Sequence, residues 1–371
     1  MEPKRPYPLV SAADMRPDGN IFNVLRLILA SAVIFSHSYA LMGMREADPS
    51  LAVLPFPVSR LAVLLFFTLS GFLVVPGLKR RGVRSFAVAR ALRLLPGLWV
   101  MLIVTSAIIL WGFSDVPPQA NRSWWGYMLR NAFVQTGGYF IDGAFSTNPE
   151  PNLVNGSLWT ISREVQCYAA LALTGALGWV HRRRLLLALW LGGIAVHMAL
   201  PQDMFPVLGE LRWLSISFFA GVLMALWQDR LPMSAALAVI LLAAALGLSA
   251  RFAGTGFDQL AVALAGAYAL IAFGVRAPAV LKALSGRLPD YSYGVYIYAF
   301  PAQQVAIATG IGMTAAGNMA AGFALALPFA MASWHLVEKP ALAYKASFAR
   351  RKGDDLQAAL NQAAAAPKSQ A

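Results

Sequence analysis

From about residue 21 onward the chain alternates long apolar runs with short polar breaks. Ten runs approach the roughly 17 to 25 residues that cross about 30 Å of hydrocarbon as helix. They are residues 21–42, 58–78, 95–113, 157–180, 185–200, 212–228, 231–250, 257–275, 291–311 and 313–336. The fifth and sixth are the shortest. The pattern predicts an all-α polytopic integral membrane protein of about ten transmembrane helices, and no repeat of fixed period is visible. Residues Met1 to Asn20 are polar and contain proline, Arg26 interrupts the first run, and no small-residue cleavage site follows. That run is therefore expected to stay in the mature protein rather than be removed as a signal peptide.

Composition agrees. Hydrophobic residues are 58% and charged residues 13% of the 371, against roughly 45–50% and 25% in globular proteins, and the mean hydropathy is +0.59. The single cysteine, Cys167, excludes an internal disulfide framework and a Cys-based zinc site. The formal charge of +13 does not point to nucleic acid, because the basic residues are scattered among the breaks, where they act as orientation signals. With the N-terminus inside, 22 Lys and Arg fall in cytoplasmic segments and six (Arg45, Arg60, Arg122, Arg130, Arg212, Arg251) in outer ones. The imbalance persists loop by loop, which calls for an even number of spans and two cytoplasmic termini, as in a cell inner membrane. The longest outer segment, residues 114–156, places Trp124 and Trp125 at the membrane interface and could cover an external site. Residues 1–340 form the membrane domain; residues 341–371 are a cytoplasmic Ala/Gln-rich tail.

Charges inside apolar runs cost roughly 2.5 to 3.5 kcal/mol each at a helix centre and so mark function or pairing. Three stand out: Arg26, Arg163 and Glu164. Arg26 and His37 share a helix face, since eleven steps of 100° come within about 20° of three full turns, and they lie about 16 Å apart along the axis. Arg26 is thus toward the cytoplasm and His37 toward the outside. His37 and Glu164 lie at similar depths, roughly 8 and 10 Å from the outer surface. Arg163 and Glu164 point about 100° apart, so each needs its own partner.

Several blocks then carry a resemblance. Arg26 with ten residues before His37, Phe66-Phe67-Thr68-Leu69-Ser70-Gly71-Phe72-Leu73, Arg90-Ala91-Leu92-Arg93 with Pro96, Ser157-Leu158-Trp159-Thr160-Ile161-Ser162-Arg163-Glu164-Val165-Gln166-Cys167-Tyr168, Ser292 to Pro301, and Val337-Glu338-Lys339-Pro340 together resemble acyltransferase family 3, in the family's order across nearly the whole chain. The resemblance implies transfer of an acyl group, usually acetyl, from cytoplasmic acyl-CoA to a hydroxyl of a glycan or other acceptor at or beyond the membrane. It implies acetyl-CoA as donor substrate, no metal, and a carbohydrate or lipid-linked glycan as acceptor. Two departures stand out: Ala299 replaces a histidine many members have in the ninth helix, and the C-terminal esterase-like domain found in some members is not expected here, so that the membrane domain would act alone.

Within that resemblance His37, Glu164 and Arg26 are the expected catalytic residues, His37 as general base toward the acceptor hydroxyl or as acyl carrier. Glu164 either orients His37 or pairs with Arg26 or Arg163. Arg90 and Arg93 match the family's Arg-x-x-Arg and fit the donor's phosphates, for which arginine forks are suited, although cytoplasmic arginines are also topology signals; Lys79, Arg80 and Arg81 read as generic. His181, His197 and His335 read as structural, and Ser70 with Gly71 as a close helix contact. Tyr293 and Tyr296 face either a cavity or the interface. The alternative function is a transporter or flippase, since intramembrane Arg, His and Glu also mark substrate pathways.

Overall fold

A computed structural model describes residues 9–200 and 206–344. Lys4, Arg5 and the tail from residue 345 lie outside the described residues. The helices are α1 (Phe22–Leu41), α2 (Val58–Gly112), α3 (Arg122–Ala132), α4 (Trp159–Ala176), α5 (Arg183–Ala199), α6 (Pro206–Leu226), α7 (Ala235–Arg251), α8 (Phe257–Arg276), α9 (Ala279–Arg287), α10 (Ser292–Ala308) and α11 (Ala315–Ser333), the last running on into a π-helical turn at Trp334–Glu338. All ten apolar runs fall on helix. Among the described residues extended pairing is limited to two isolated bridges, Ser114 with Ala144 and Phe140 with Leu153. Among the described residues five helices are long and apolar enough to cross a membrane: α1, α2, α8, residues Gly209–Leu226 of α6, and α11 with its continuation to Tyr344.

The second and third runs, expected as separate helices joined by a basic loop, form a helical stretch of 55 residues made of two helices that meet at a kink, with no loop between them. Straight, it would measure about 80 Å, far more than a bilayer core. It is broken at Gly82, whose φ of 75° and ψ of 174° lie outside the helical region, a conformation glycine adopts at little cost. After the break the chain re-enters helix at once through Ala- and Arg-rich sequence with good helix propensity. Arg90 and Arg93 are therefore fixed on consecutive turns of a helix. Elsewhere caps trim the expected ends: α7 starts at Ala235 because Ser234 accepts from the amide of Leu237.

Glycines set the tightest helix contact. A Cβ on Gly71 would lie 2.0 Å from the carbonyl oxygen of Phe218 in α6, and one on Gly221 of α6 only 1.9 Å from that of Thr68. The backbones of α2 and α6 thus touch, and Thr68 adds a hydrogen bond from its hydroxyl to the Ser217 carbonyl at 3.1 Å. One apolar core gathers around α2, α6 and α8. A second joins α1, α10, α11, the distal half of α2 and the segment before α4. Phe66, Tyr293 and Tyr296 pack against both, and the candidate site lies along this seam.

Candidate active site

The seam holds a cavity of about 90 Å³ whose walls include Arg26, Arg90, Arg93, Glu164, Tyr293 and Tyr296. Helices α1, α2, α4 and α10 each contribute. Its frame is an ionic clamp. Arg26 on α1 donates to Asp290 at 2.6 Å, Arg93 on α2 donates to the same oxygen at 2.7 Å, and the other arm of Arg93 reaches Glu338 at 2.9 Å. Glu338 is 1% exposed and also accepts from Ser333. The Arg93 guanidinium lies over the rings of Tyr293 and Trp334, 5.5 and 5.8 Å from their centroids. A buried charge removed from water must be paired and hydrogen-bonded on several sides, and Arg93 is. Burial would push Asp290 up, but the guanidinium groups of Arg93 and Arg26 and the Ser292 hydroxyl outweigh it and hold its carboxyl at about 2.

Arg90 differs from its neighbour one turn on. Among the described residues it has no ion-pair partner; its guanidinium faces the Tyr168 ring at 5.7 Å. Tyr168 in turn donates to Glu164 at 2.6 Å, and Ser70 donates to the same carboxylate oxygen at 3.0 Å. The expected pairing of Glu164 with Arg26 or Arg163 does not occur. Arg26 is claimed by Asp290, and Arg163, 8% exposed, bonds Gln166 of its own helix. Helix geometry explains this: Glu164 and Tyr168 are four apart and Arg163 and Gln166 three apart, so each charge finds a partner on its own face.

His37 is not among the residues that line the cavity. It packs edge-on against Phe300, with ring centroids 5.1 Å apart, and makes no hydrogen bond to Glu164. It is nevertheless in line with the cavity. Helices α1 and α10 run parallel and touch at two matched levels, Arg26 against Asp290 and His37 against Phe300. Tyr293, Tyr296 and Phe300 recur on one face of α10, so Phe300 stands one turn, about 6 Å, beyond the cavity wall at Tyr296. Phe66 covers Tyr296 at 5.9 Å between centroids, and the Tyr296 hydroxyl is 2.7 Å from that of Thr160.

Local sequence builds this stack. Pro301 inside α10 cannot bond the carbonyl of Ile297, and Asn155 donates to that carbonyl instead at 2.8 Å. The following residue, Gly156, leaves the notch for Phe300, whose ring atoms would lie 2.8 Å from a Cβ there. Tyr293 and Tyr296 line the cavity rather than the interface. Ser70 also faces it, whereas Gly71 makes the close contact. His181, His197 and His335 lie away from it; His197 packs edge-on against Trp213 and His335 meets the Tyr291 hydroxyl at 2.9 Å. Sequence reasoning missed Asp290. Its signal was Arg26, a cation at the inner end of one run that required a carboxylate at the inner end of another.

A charged pocket set among apolar helices suits a membrane-embedded group transferase, and comparison with known proteins gives the class. The acyltransferase domain family matches residues 20–335, and the chain belongs to that family. It is 29% identical over 343 residues to the O-acetyl transferase of Shigella phage Sf6, covering 86% of this chain and 95% of the relative. It is 27% identical to nodulation protein 10 of Rhizobium leguminosarum bv. viciae, covering 90% and 96%. No solved structure matches it significantly. The chain is an acyltransferase, and its likeness to an O-acetyl transferase supports O-acetyl transfer as the activity.

Proposed function

We infer that this acyltransferase moves an acetyl group from cytoplasmic acetyl-CoA to a hydroxyl of a cell-envelope or exported glycan, within a bacterial inner membrane crossed ten times. The observation that carries the reading is the stack on one helix pair: a basic cavity at the level of Arg26 and, further along the same face, the unbonded imidazole of His37. Arg90, which has no ion-pair partner among the described residues, is the guanidinium for the donor's phosphates. Arg93 and Arg26 hold the clamp that shapes the cavity, which narrows the donor role expected of Arg93 to a positioning one. The acceptor oxygen attacks the thioester carbonyl carbon, the carbon–sulfur bond breaks, and His37 takes the hydroxyl proton and returns it to the departing thiolate. Glu164, braced by Ser70 and Tyr168, holds negative charge beside Arg90. Family membership disfavours the transporter reading.

The test is transfer of labelled acetyl from acetyl-CoA to surface glycan in membranes. Positioned general bases contribute about 10² to 10⁴-fold. His37→Ala is expected to insert and bind donor normally while losing transfer by that order. Transfer near the wild-type rate at normal expression would remove His37 from the mechanism.

A further inference from the structure

A second cavity, of about 440 Å³, opens beside the first and shares Arg90 with it. Its walls come from three places: Ala12 and Met15 before α1, the stretch of α2 on both sides of the Gly82 break, and Gln228 just beyond α6. The break brings Arg80 and Arg81 to the same opening as Arg90. Among the described residues none of the three forms an ion pair; Arg80 donates only to the Pro76 carbonyl of its own helix. The floor is apolar, including Leu73, Val74 and Phe86. Gln228 brings a buried side-chain oxygen that has no hydrogen-bond donor among the described residues.

Three unpaired guanidinium groups, an apolar floor with a flat aromatic ring, and an unsatisfied acceptor define a ligand of matching chemistry: a purine nucleotide carrying more than one phosphate. An exocyclic amine would satisfy Gln228, the base would lie on the apolar floor, and arginine forks would take the phosphate oxygens bidentately. Resting on the donor reading above, we propose that this cavity seats the 3′-phosphoadenosine end of the donor. Arg80 and Arg81 recognise the 3′-phosphate, and Arg90, common to both cavities, takes the diphosphate where the donor turns inward. The arginines expected to be generic orientation signals are thereby assigned a ligand.

Removing one phosphate group from the ligand and one arginine pair from the protein isolates the contact. Acetyl-CoA and 3′-dephospho-acetyl-CoA are titrated into purified protein in nanodiscs at low salt, with wild type, an Arg80→Gln/Arg81→Gln double variant and Arg80→Lys/Arg81→Lys. Wild type should bind acetyl-CoA about tenfold more tightly than the dephospho form, as charge-assisted hydrogen bonds warrant. The Gln variant should bind both equally at the weaker level, with the Lys variant between. Equal binding of the two donors by wild type, or undiminished discrimination by the Gln variant, overturns this site and leaves the donor reading standing. Failure of wild type to bind either overturns the donor reading and this site with it. Repeating the titration in phosphatidylcholine and phosphatidylglycerol discs separates the two sources of phosphate: if the arginines serve lipid headgroups, the substitutions abolish a lipid dependence and leave donor discrimination intact, which also overturns the proposal.

Discussion

Asp290 ties three helices through one carboxylate, accepting from Arg26 and Arg93 while Arg93 also holds Glu338. Asp290→Asn would leave two part-buried cations short of charge, and since breaking a fully buried pair costs about 3–5 kcal/mol, a smaller but clear fall in Tm of the detergent-purified protein is expected. The pH dependence follows from the carboxyl's position at about 2. Its folded-state value is depressed, so its stabilisation is fully present above the ordinary carboxylate value of about 4 and is lost as pH falls through about 2. Between pH 5 and 8 the contribution of Asp290 should be constant, and the Asn variant should lack the share of acid destabilisation that wild type shows below pH 4. Thermal scans of both proteins from pH 7 down to pH 3 check this. Sequence exposed Arg26 as costly because its surroundings in the run are apolar. It could not name Asp290, which lies 264 residues away and is brought near only when α10 packs beside α1.

At the scale of elements, the Gly71–Gly221 contact admits no side chain. Gly71→Val would drive two methyl groups into the backbone of α6, and overpacking of this kind typically costs about 1–3 kcal/mol. Folded yield and Tm should fall. Gly193→Ala in α5, where an added Cβ meets nothing within 4 Å, should leave Tm unchanged or raise it, because alanine is the better helix former. Equal behaviour of the two variants would show that the crossing is not close-packed. Helix positions were legible because an apolar run of this length has few other solutions. The Gly82 break was not, since a glycine among arginines reads equally well as the middle of a loop. Nor was the Pro301–Asn155 repair, which joins segments 146 residues apart through one carbonyl at Ile297.

For the whole molecule, the charge imbalance and the cavity order make one prediction about sidedness. In a Cys167→Ala background, a membrane-impermeant maleimide added to spheroplasts should label Trp125→Cys and spare Arg84→Cys, with the reverse in inverted vesicles. The opposite pattern would exchange donor and acceptor faces. The paired levels of α1 and α10 carry a last consequence. Arg26 and His37 are joined by three turns of one stiff rod, and a slide of α10 along it would break the ion pair and the ring contact together. Their spacing is a fixed caliper of about 16 Å. The distance between the Arg26 end of the cavity and the imidazole therefore cannot be closed by the protein shortening itself. It must be covered by reach in the molecule that binds, so a donor whose arm between phosphate and thioester is cut short should occupy the site and yet fail to deliver.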